Sequence, residues 1–287
     1  MSDVNGFLPI IDTWPEYFEN PYEGLGTTYE RVLLHAIFEK IDRAYNIQSV
    51  LETPSFGMTG ISGINSLWWG KHQKEIYLVD DNEARLDKIK KVWASLGFPF
   101  IPVLNNINQV PLEDDSVDLT WNFASLWFLQ DLDYFAEQVK RVTRKVILIS
   151  VPNHLGMGFL IRRGAARQLS QLNLQYCKPR VVRKAFEGQG WVLWDKGIFD
   201  VPPWPDIPMK KEDLFKRLGI EFLLKYLPQA DDNSNGETPE SILDYFSGKN
   251  PNLDKEILKY GIIEKAPRPF STFWGHHRYF IFVKEGA

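Results

Sequence analysis

The stretch Val50–Gly70 reads VLETPSFGMTGISGINSLWWG. It begins as a short apolar strand, continues as a turn that contains glycine, and ends in a helix-forming segment. Nucleotide-like ligands are often bound at such strand–turn–helix junctions. The glycines of this stretch, however, do not have the spacing of the common phosphate-binding fingerprints. The sequence therefore predicts a ligand-binding turn of unusual composition directly after the first strand of a sheet.

Apolar strands alternate with helices on both sides of this junction. An amphipathic helix is predicted over Thr28–Tyr45, with Thr27 as N-cap and Glu30 completing a capping box. Near-continuous apolar strands are typical of a parallel sheet that is covered on both faces, so the pattern predicts a doubly wound α/β domain. Five strands are predicted, at Ser49–Thr53, Glu75–Asp81, Ile101–Leu104, within Asp115–Ala124, and at Lys145–Val151.

The second half of the chain has a less regular pattern. Its segments extend the prediction to a mostly parallel, seven-stranded, Rossmann-like sheet with helices on both faces and a helical lid inserted before the last strand. Helices between the first and last strands are predicted at Gly60–Gly70, from Asn82 to Gly97, near Leu132–Val142, and at Met157–Leu172, Arg180–Gln189, Lys211–Tyr226 and Pro239–Tyr245, with further strands at Trp191–Phe199 and His276–Lys284.

The composition narrows the classes of partner. The 287 residues carry a net charge of −4 without a basic block, which argues against nucleic acid or an anionic membrane surface as the main partner. The single cysteine cannot form an internal disulfide, and the N-terminus lacks a secretion signal, so a cytoplasmic location is expected. No apolar run is long enough to span a bilayer. Aromatic residues make up 14% of the chain, which is consistent either with an apolar ligand pocket or with a tryptophan-rich core.

Polar residues stand at the ends of the predicted strands. Glu52 ends the first strand, Asp80 the second, the pair Asn105–Asn106 follows the third, and Asn122 lies at the end of the fourth. Ligands of open parallel sheets bind outside the carboxyl ends of the strands. These side chains are therefore expected along one edge of the sheet, in an order that suits a nucleoside with an amino-acid tail.

The phrase NNINQVPLEDDSVDLTWN, Asn105–Asn122, carries the most specific resemblance. It is similar to a phrase of the class I S-adenosylmethionine-dependent methyltransferases, type 11-like, in which an apolar–proline–apolar piece precedes a serine–aromatic–acid piece. Val110–Leu112 and Ser116–Asp118 stand for these two pieces. The resemblance covers roughly residues 28–199 and returns at 276–284.

The resemblance implies S-adenosylmethionine as the cofactor and assigns roles by position. Glu52 resembles the acid that helps hold the methionine end, Asp80 the carboxylate that accepts from both ribose hydroxyls, and Asn106 the acceptor for the adenine amino group. Asn122 to Ala124 would pass close to the sulfonium. The residues assigned to the cofactor on this basis are Glu52, Thr53, Pro54, Gly57, Asp80, Asp81, Asn106, Ile107, Asn122, Phe123 and Ala124.

Two departures from the family pattern concern turns. Family members usually carry acid-x-Gly-x-Gly-x-Gly after the first strand, whereas this chain reads ETPSFGMTG from Glu52 to Gly60. Glycine is required where the backbone needs positive φ or close approach, so the path of this turn is expected to differ, with Gly57 making the turn. Relatives also often carry a proline–glycine–glycine turn before strand five, where this chain has VTRKV, Val142–Val146.

Histidine offers one candidate for catalysis and none for a metal. His154 follows strand five and is a candidate proton acceptor, with a structural role as the alternative. His276 and His277 are adjacent on a predicted strand and point to opposite faces, which makes them a poor chelate. With a single cysteine and scattered histidines, no metal site is predicted.

The resemblance predicts one methyltransferase domain over residues 1–287. It divides into an N-terminal cap segment and helix (1–48), a cofactor-binding core (49–199), a lid and substrate insertion (200–275) and the final strand (276–287). The expected reaction is in-line methyl transfer to a small or apolar organic substrate that enters over Asn122–Trp127. Two alternatives are a cofactor-binding regulatory or scaffold protein without catalysis and an NAD-dependent oxidoreductase. The oxidoreductase is disfavoured because Gly57, Gly60 and Gly63 do not form G-x-G-x-x-G.

Overall fold

The strands of the protein form one seven-stranded sheet within the residues that the computed structural model describes, namely 24–55, 63–160, 172–201 and 242–287. Their bounds are β1 Ser49–Glu52, β2 Glu75–Asp80, β3 Ile101–Leu104, β4 Val117–Phe123, β5 Thr143–Pro152, β6 Trp191–Phe199 and β7 His277–Lys284. The spatial order is β3-β2-β1-β4-β5-β7-β6. Strands β1 to β5 are parallel, and β7 is antiparallel to both β5 and β6. The predicted fold class, a mostly parallel Rossmann-like sheet of seven strands, is confirmed.

Helices cover both faces of this sheet. Those with defined ends in the described ranges are α1 Gly24–Tyr45, α2 Leu67–Lys71, α3 Glu83–Ser95, α4 Leu132–Val142, α5 Pro179–Phe186, α6 Ile242–Ser247, α7 Leu253–Leu258 and α8 Arg268–Trp274. Helices α1, α2 and α3 pack against one face together with the side chains of Val50, Leu78 and Trp121. Helices α4 and α5 pack against the opposite face over Leu51 and Ile147. The central strands β1, β4 and most of β5 are therefore buried on both sides, as their continuous apolar residues predict, whereas β3 is largely exposed.

Tryptophans fill the core on the α1 face. Trp69, Trp93 and Trp121 are completely buried, and the ring of Phe38 contacts both Trp69 and Trp121. Of the two interpretations of the aromatic content, these residues favour the tryptophan-rich core.

The start of α1 corrects the sequence prediction. The helix begins at Gly24, so Thr27 and Glu30 lie inside it and the predicted capping box is wrong. Glu30 is buried, with its Oε2 3.4 Å from Nδ1 of His277 at the start of β7. Its side chain serves a tertiary contact, which a local capping pattern cannot reveal.

The helix predicted over Gly60–Gly70 is shorter than expected. Helix α2 begins only at Leu67, after a turn that starts at Gly63. Gly63 has a φ of +71°, and a Cβ there would lie 2.9 Å from the Leu78 side chain, so glycine is required at this position. Residues 56–62, the predicted helix Lys211–Tyr226 and most of Met157–Leu172 lie outside the described residues.

The start of α3 and the end of α4 each lie next to a strand of the sheet. The side chain of Asn82 accepts from Arg85 N and caps α3, as predicted. Helix α4 runs directly into β5 at Thr143, whose hydroxyl donates to Val139 O. The chain passes from α4 to β5 without a glycine turn, which explains why Val142–Val146 lacks the proline–glycine–glycine sequence that relatives often carry there. No helix of the described ranges is both apolar and long enough to cross a bilayer.

Candidate functional site

The carboxyl ends of the parallel strands meet at one edge of the sheet. Glu52 at the end of β1 lies level with Leu78 of β2 and Trp121 of β4, and Asn122 lies level with Ile149 of β5. The backbone after β1 continues across this edge, because Thr53 N donates to Trp121 O and Ser55 N donates to Val79 O. The expectation that residues from β1, β2 and β4 come together at this edge is met.

Buried polar side chains without a hydrogen-bond partner collect at this edge. Asn122 is 0% exposed, and neither its Oδ1 nor its Nδ2 has a partner in the part of the chain that the structure describes. The hydroxyls of Thr53, Ser125 and Ser150 are likewise buried and unpartnered. Buried polar groups in native proteins are nearly always hydrogen-bonded, because an unpaired one costs about 1–3 kcal/mol. Several such groups at one edge indicate a place where a polar ligand completes the hydrogen bonds.

The backbone at the end of β4 is strained. Ala124 directly follows the strand, is fully buried and has a φ of +50°, a conformation that residues with a Cβ rarely adopt. Its N–H donates to Ser150 O and holds this conformation in place. Strain of this kind clusters at functional sites. The neighbouring Phe123 is buried, and its ring centre lies 4.7 Å from that of His277.

Asp80 lies at the end of β2 with its carboxylate engaged by Arg85. Arg85 Nε donates to Oδ1 at 3.0 Å and to Oδ2 at 2.9 Å, and Nη2 donates to Oδ1 at 2.6 Å. Asn82 N and the hydroxyl of Ser55 also donate to this carboxylate. Burial raises the pKa of Asp80, and the Arg85 guanidinium opposes that rise. The Asp80 carboxylate could accept hydrogen bonds from two ribose hydroxyls only if Arg85 released some of its hydrogen bonds to that carboxylate.

Glu52 points into the α1 face of the sheet. Its Oε2 accepts from the hydroxyl of Ser66 at 2.5 Å, and the same hydroxyl accepts from the indole N–H of Trp121. Burial raises the pKa of Glu52 to about 8, against the lowering effects of Ser66 and of Arg31 nearby. The side chain of Glu52 is thus held among buried groups on the α1 face, and its role at the methionine end of the cofactor stays a prediction.

The remaining predicted cofactor residues have local or packing contacts. Asn106 is exposed, and its Oδ1 accepts from both nitrogens of Asn108, while Ile107 is half-buried against the α4 face. Asp81 is exposed and pairs with Arg85 at 2.8 Å. Pro54 is buried at the edge, and Gly57 lies outside the described residues.

His154 stands just past β5, on a segment that is firmly anchored. The amide of the preceding Asn153 donates to Thr272 O and Gly275 O, and its Oδ1 accepts from Arg278 Nε at 2.7 Å. His154 is half-buried, and its Nδ1 is buried without a partner among the described residues. Burial lowers the pKa of His154, and the charge of Arg278 adds to this effect. A neutral imidazole with an unoccupied ring nitrogen can accept a proton.

The sequence reasoning missed three contributors to this edge. Ser125 and Ser150 are small hydroxyl residues within apolar stretches, and their unpartnered state depends on the folded surroundings. Arg85 is five residues after Asp80, in the first turn of α3, a spacing that could have suggested the ion pair.

Comparisons with known proteins bear on the fold and on the family of the domain. Residues 57–148 match a family described as a methyltransferase domain. A candidate sarcosine dimethylglycine methyltransferase from Galdieria sulphuraria aligns over 88% of this chain and 85% of its own, with 13% identity and a TM-score of 0.51. A candidate methyltransferase from Bacillus halodurans C-125 aligns over 87% and 98%, with 12% identity and a TM-score of 0.50. A comparison with curated proteins finds no matching sequence.

The matched segment spans β2 to β5, together with the turn before α2. The structural matches extend the shared fold over most of the chain at low identity. The resemblance inferred from the Asn105–Asn122 phrase is confirmed, since residues 57–148 match a methyltransferase-domain family and the chain shares the fold of the two solved structures.

Proposed function

We propose that the protein binds S-adenosylmethionine at the carboxyl edge of β1, β2 and β4 and transfers its methyl group to a small or apolar organic substrate. The observation that carries the proposal is the buried amide of Asn122, which has no hydrogen-bond partner among the described residues. The buried hydroxyls of Thr53, after β1, and Ser125, after β4, also lack partners there. The matched methyltransferase domain gives the reaction class.

The residues at this edge fit the cofactor. Asn122 offers both a donor and an acceptor, which suits an amino-acid tail that carries an ammonium and a carboxylate. Asp80 offers a carboxylate at the end of β2 for the ribose hydroxyls, provided that Arg85 shifts. When bound, S-adenosylmethionine supplies a methyl group that its sulfonium has already activated. The chain therefore needs chiefly to align the reactants and to exclude water.

The work of the protein in this proposal is positioning. The strained, buried backbone at Ala124 fixes the end of β4 where the reacting groups meet. Trp127 is buried and packs with Phe159 in a small apolar cluster, with 6.3 Å between the two ring centres. A substrate that enters over Asn122–Trp127 would meet this apolar cluster, which favours an apolar or aromatic substrate over a nucleic acid.

His154 is the candidate acceptor for a substrate proton. Its lowered pKa keeps the imidazole neutral near pH 7, and its buried Nδ1 is available to accept. A base is required only if the substrate nucleophile carries a proton at the operating pH.

The sheet order weighs against the NAD-dependent alternative. Dinucleotide-binding sheets have the order 3-2-1-4-5-6, whereas this sheet places the antiparallel β7 between β5 and β6. The alternative of a cofactor-binding protein without catalysis shares the same fold and site, and only turnover separates it from the enzyme.

Turnover is tested with S-adenosylmethionine labelled in its methyl group and a panel of small hydroxyl, amine, thiol and carboxylate acceptors. The proposal expects label transfer to at least one acceptor, with equimolar release of S-adenosylhomocysteine. Asn122→Val should slow transfer at least about tenfold when S-adenosylmethionine is below saturation, whereas the exposed Asp87→Asn on α3 should not. If the protein binds S-adenosylhomocysteine but transfers no label to any acceptor, the non-catalytic alternative is favoured.

A further inference from the structure

A second group of functional side chains lies where β6 ends and β7 begins. Glu30 of α1, Asp200 directly after β6, and His277 at the start of β7 each offer one ligand atom, and these atoms all lie within 4.8 Å of one another. We call these residues the Glu30–Asp200–His277 cluster. All three are buried, with exposed fractions of 3%, 3% and 1%.

Two distances in the cluster are close to those between ligands of a tetrahedral metal. Glu30 Oε2 lies 3.4 Å from His277 Nδ1, and Asp200 Oδ2 lies 3.7 Å from the same nitrogen. Two ligands of a tetrahedral Zn²⁺, bound at about 2.0–2.2 Å, are separated by about 3.3–3.6 Å. The observed values are close to that range.

The surroundings fix the orientation of two of the three ligands. His276 Nδ1 lies 3.0 Å from Asp200 Oδ2, and His276 N donates to Asp200 O at 2.9 Å. A hydrogen-bonded carboxylate ligand of this kind is typical of metal sites. The ring of His277 packs against Phe123 and Phe199, with centre distances of 4.7 and 5.7 Å.

We propose that the Glu30–Asp200–His277 cluster binds one divalent first-row transition metal, with Zn²⁺ as the best fit. An imidazole with two carboxylates suits these metals better than Mg²⁺ or Ca²⁺, which prefer all-oxygen sites of six or more ligands. The metal would tie α1 to the β6–β7 edge, beside Phe123 and hence next to the proposed methyl-transfer site. This inference is independent of the proposed function, and neither depends on the other.

A buried ion triad is the competing explanation. In that case a protonated His277 sits between the carboxylates of Glu30 and Asp200, and the protein has no affinity for metal at this place. The two explanations make opposite predictions for metal binding by the wild-type protein.

The test uses the full-length chain without an affinity tag, stripped with a chelator and dialysed into chelator-free buffer. Titration with ZnCl₂ by calorimetry should show saturable binding of one equivalent, and one equivalent of ZnCl₂ should raise the melting temperature. Absence of saturable binding together with an unchanged melting temperature would overturn the proposal in favour of the ion triad.

Variants then locate the metal. His277→Gln and Glu30→Gln should each weaken Zn²⁺ binding by more than about 100-fold, since even the loss of a residue that only supports a ligand costs 10–100-fold. The matched control is His72→Gln, an exposed histidine that follows α2 and contacts Trp68, which should bind as the wild type does. Unchanged binding in His277→Gln would assign the metal to the surface and overturn the proposal.

A measurement on the wild type covers the case in which the variants do not fold. Co²⁺ in a four-coordinate site gives strong visible absorption, whereas Co²⁺ bound by surface groups or water gives weak bands. The proposal expects the strong bands at one equivalent of CoCl₂ and their loss on addition of ZnCl₂. Weak bands alone would contradict the site.

Discussion

The buried carboxyl of Glu52 should make the stability of the protein fall as pH rises from mildly acidic to mildly alkaline. Its pKa is raised from an ordinary value of 4.5 to about 8, chiefly by burial. Between these two values the unfolded chain gives up the proton while the folded protein keeps it. Stability therefore decreases with pH across this window, and the contribution of Glu52 is constant below about 4.5 and above about 8.

The size of the effect follows from the difference between the two pKa values. One unit of pKa corresponds to about 1.4 kcal/mol. The contribution of Glu52 to the free energy of unfolding should therefore fall by up to about 4 kcal/mol between pH 5 and pH 8. Glu52→Gln removes the titrating group and retains an oxygen that can accept from Ser66 Oγ. The variant should gain stability relative to wild type by up to that amount as pH rises from 5 to 8.

The assay is urea unfolding of wild type and variant at pH 5, 6, 7 and 8, with the difference in free energy of unfolding plotted against pH. Taking the difference cancels the titrations that both proteins share. Glu137→Gln, an exposed carboxyl on α4, is the matched control and should give a flat difference. If the Glu52→Gln difference were also flat, Glu52 would not be held protonated and the argument from burial would be wrong.

Three further substitutions test individual contacts at the sheet edge. Asn122→Val removes an amide that has no partner among the described residues, so the free energy of unfolding should rise by about 1 kcal/mol. The binding of S-adenosylhomocysteine should weaken at least about tenfold. A variant that loses both stability and binding would contradict this prediction. Arg85→Met leaves the buried carboxylate of Asp80 without its cation and should lower the free energy of unfolding by about 3 kcal/mol. The double variant Arg85→Met/Asp80→Asn should recover most of this lost stability. If urea unfolding shows no recovery in the double variant, the pairing of Arg85 with Asp80 is refuted. Once an acceptor is known, His154→Gln should lower kcat by about 100-fold without changing the dissociation constant for S-adenosylhomocysteine, and an unchanged kcat would remove His154 from proton transfer.

Most strands of the fold could be predicted from periodicity. Ile101–Leu104 and Trp191–Phe199 have the predicted bounds, although both strands are largely exposed or half-buried, because their apolar runs or alternation stand out from the adjoining Asn105, Gly190 and Asp200. Helix starts were less predictable. The capping pattern at Thr27 was overridden by the tertiary contact of Glu30 with His277, and α2 is delayed by the turn at Gly63.

Asn122 and Asp80 lie at the carboxyl ends of β4 and β2, as the strand pattern predicted, and their roles toward the cofactor stay predictions. The raised pKa of Glu52 and the pairing of Asp80 with Arg85 depend on burial and on side-chain packing, which the order of residues does not give. The Glu30–Asp200–His277 cluster joins segments that are distant in the chain, so the adjacent histidines alone suggested no metal.

Binding at the carboxyl edge of β1, β2 and β4 is tested by calorimetric titration of the purified protein with S-adenosylhomocysteine, with NADH and ATP as control ligands. We expect saturable one-to-one binding of S-adenosylhomocysteine alone. Asp80→Ala should weaken this binding by about 1.5–3 kcal/mol, the contribution of hydrogen bonds to a charged group. No binding by the wild type, or an unchanged dissociation constant in Asp80→Ala, would contradict the proposed cofactor site at the end of β2.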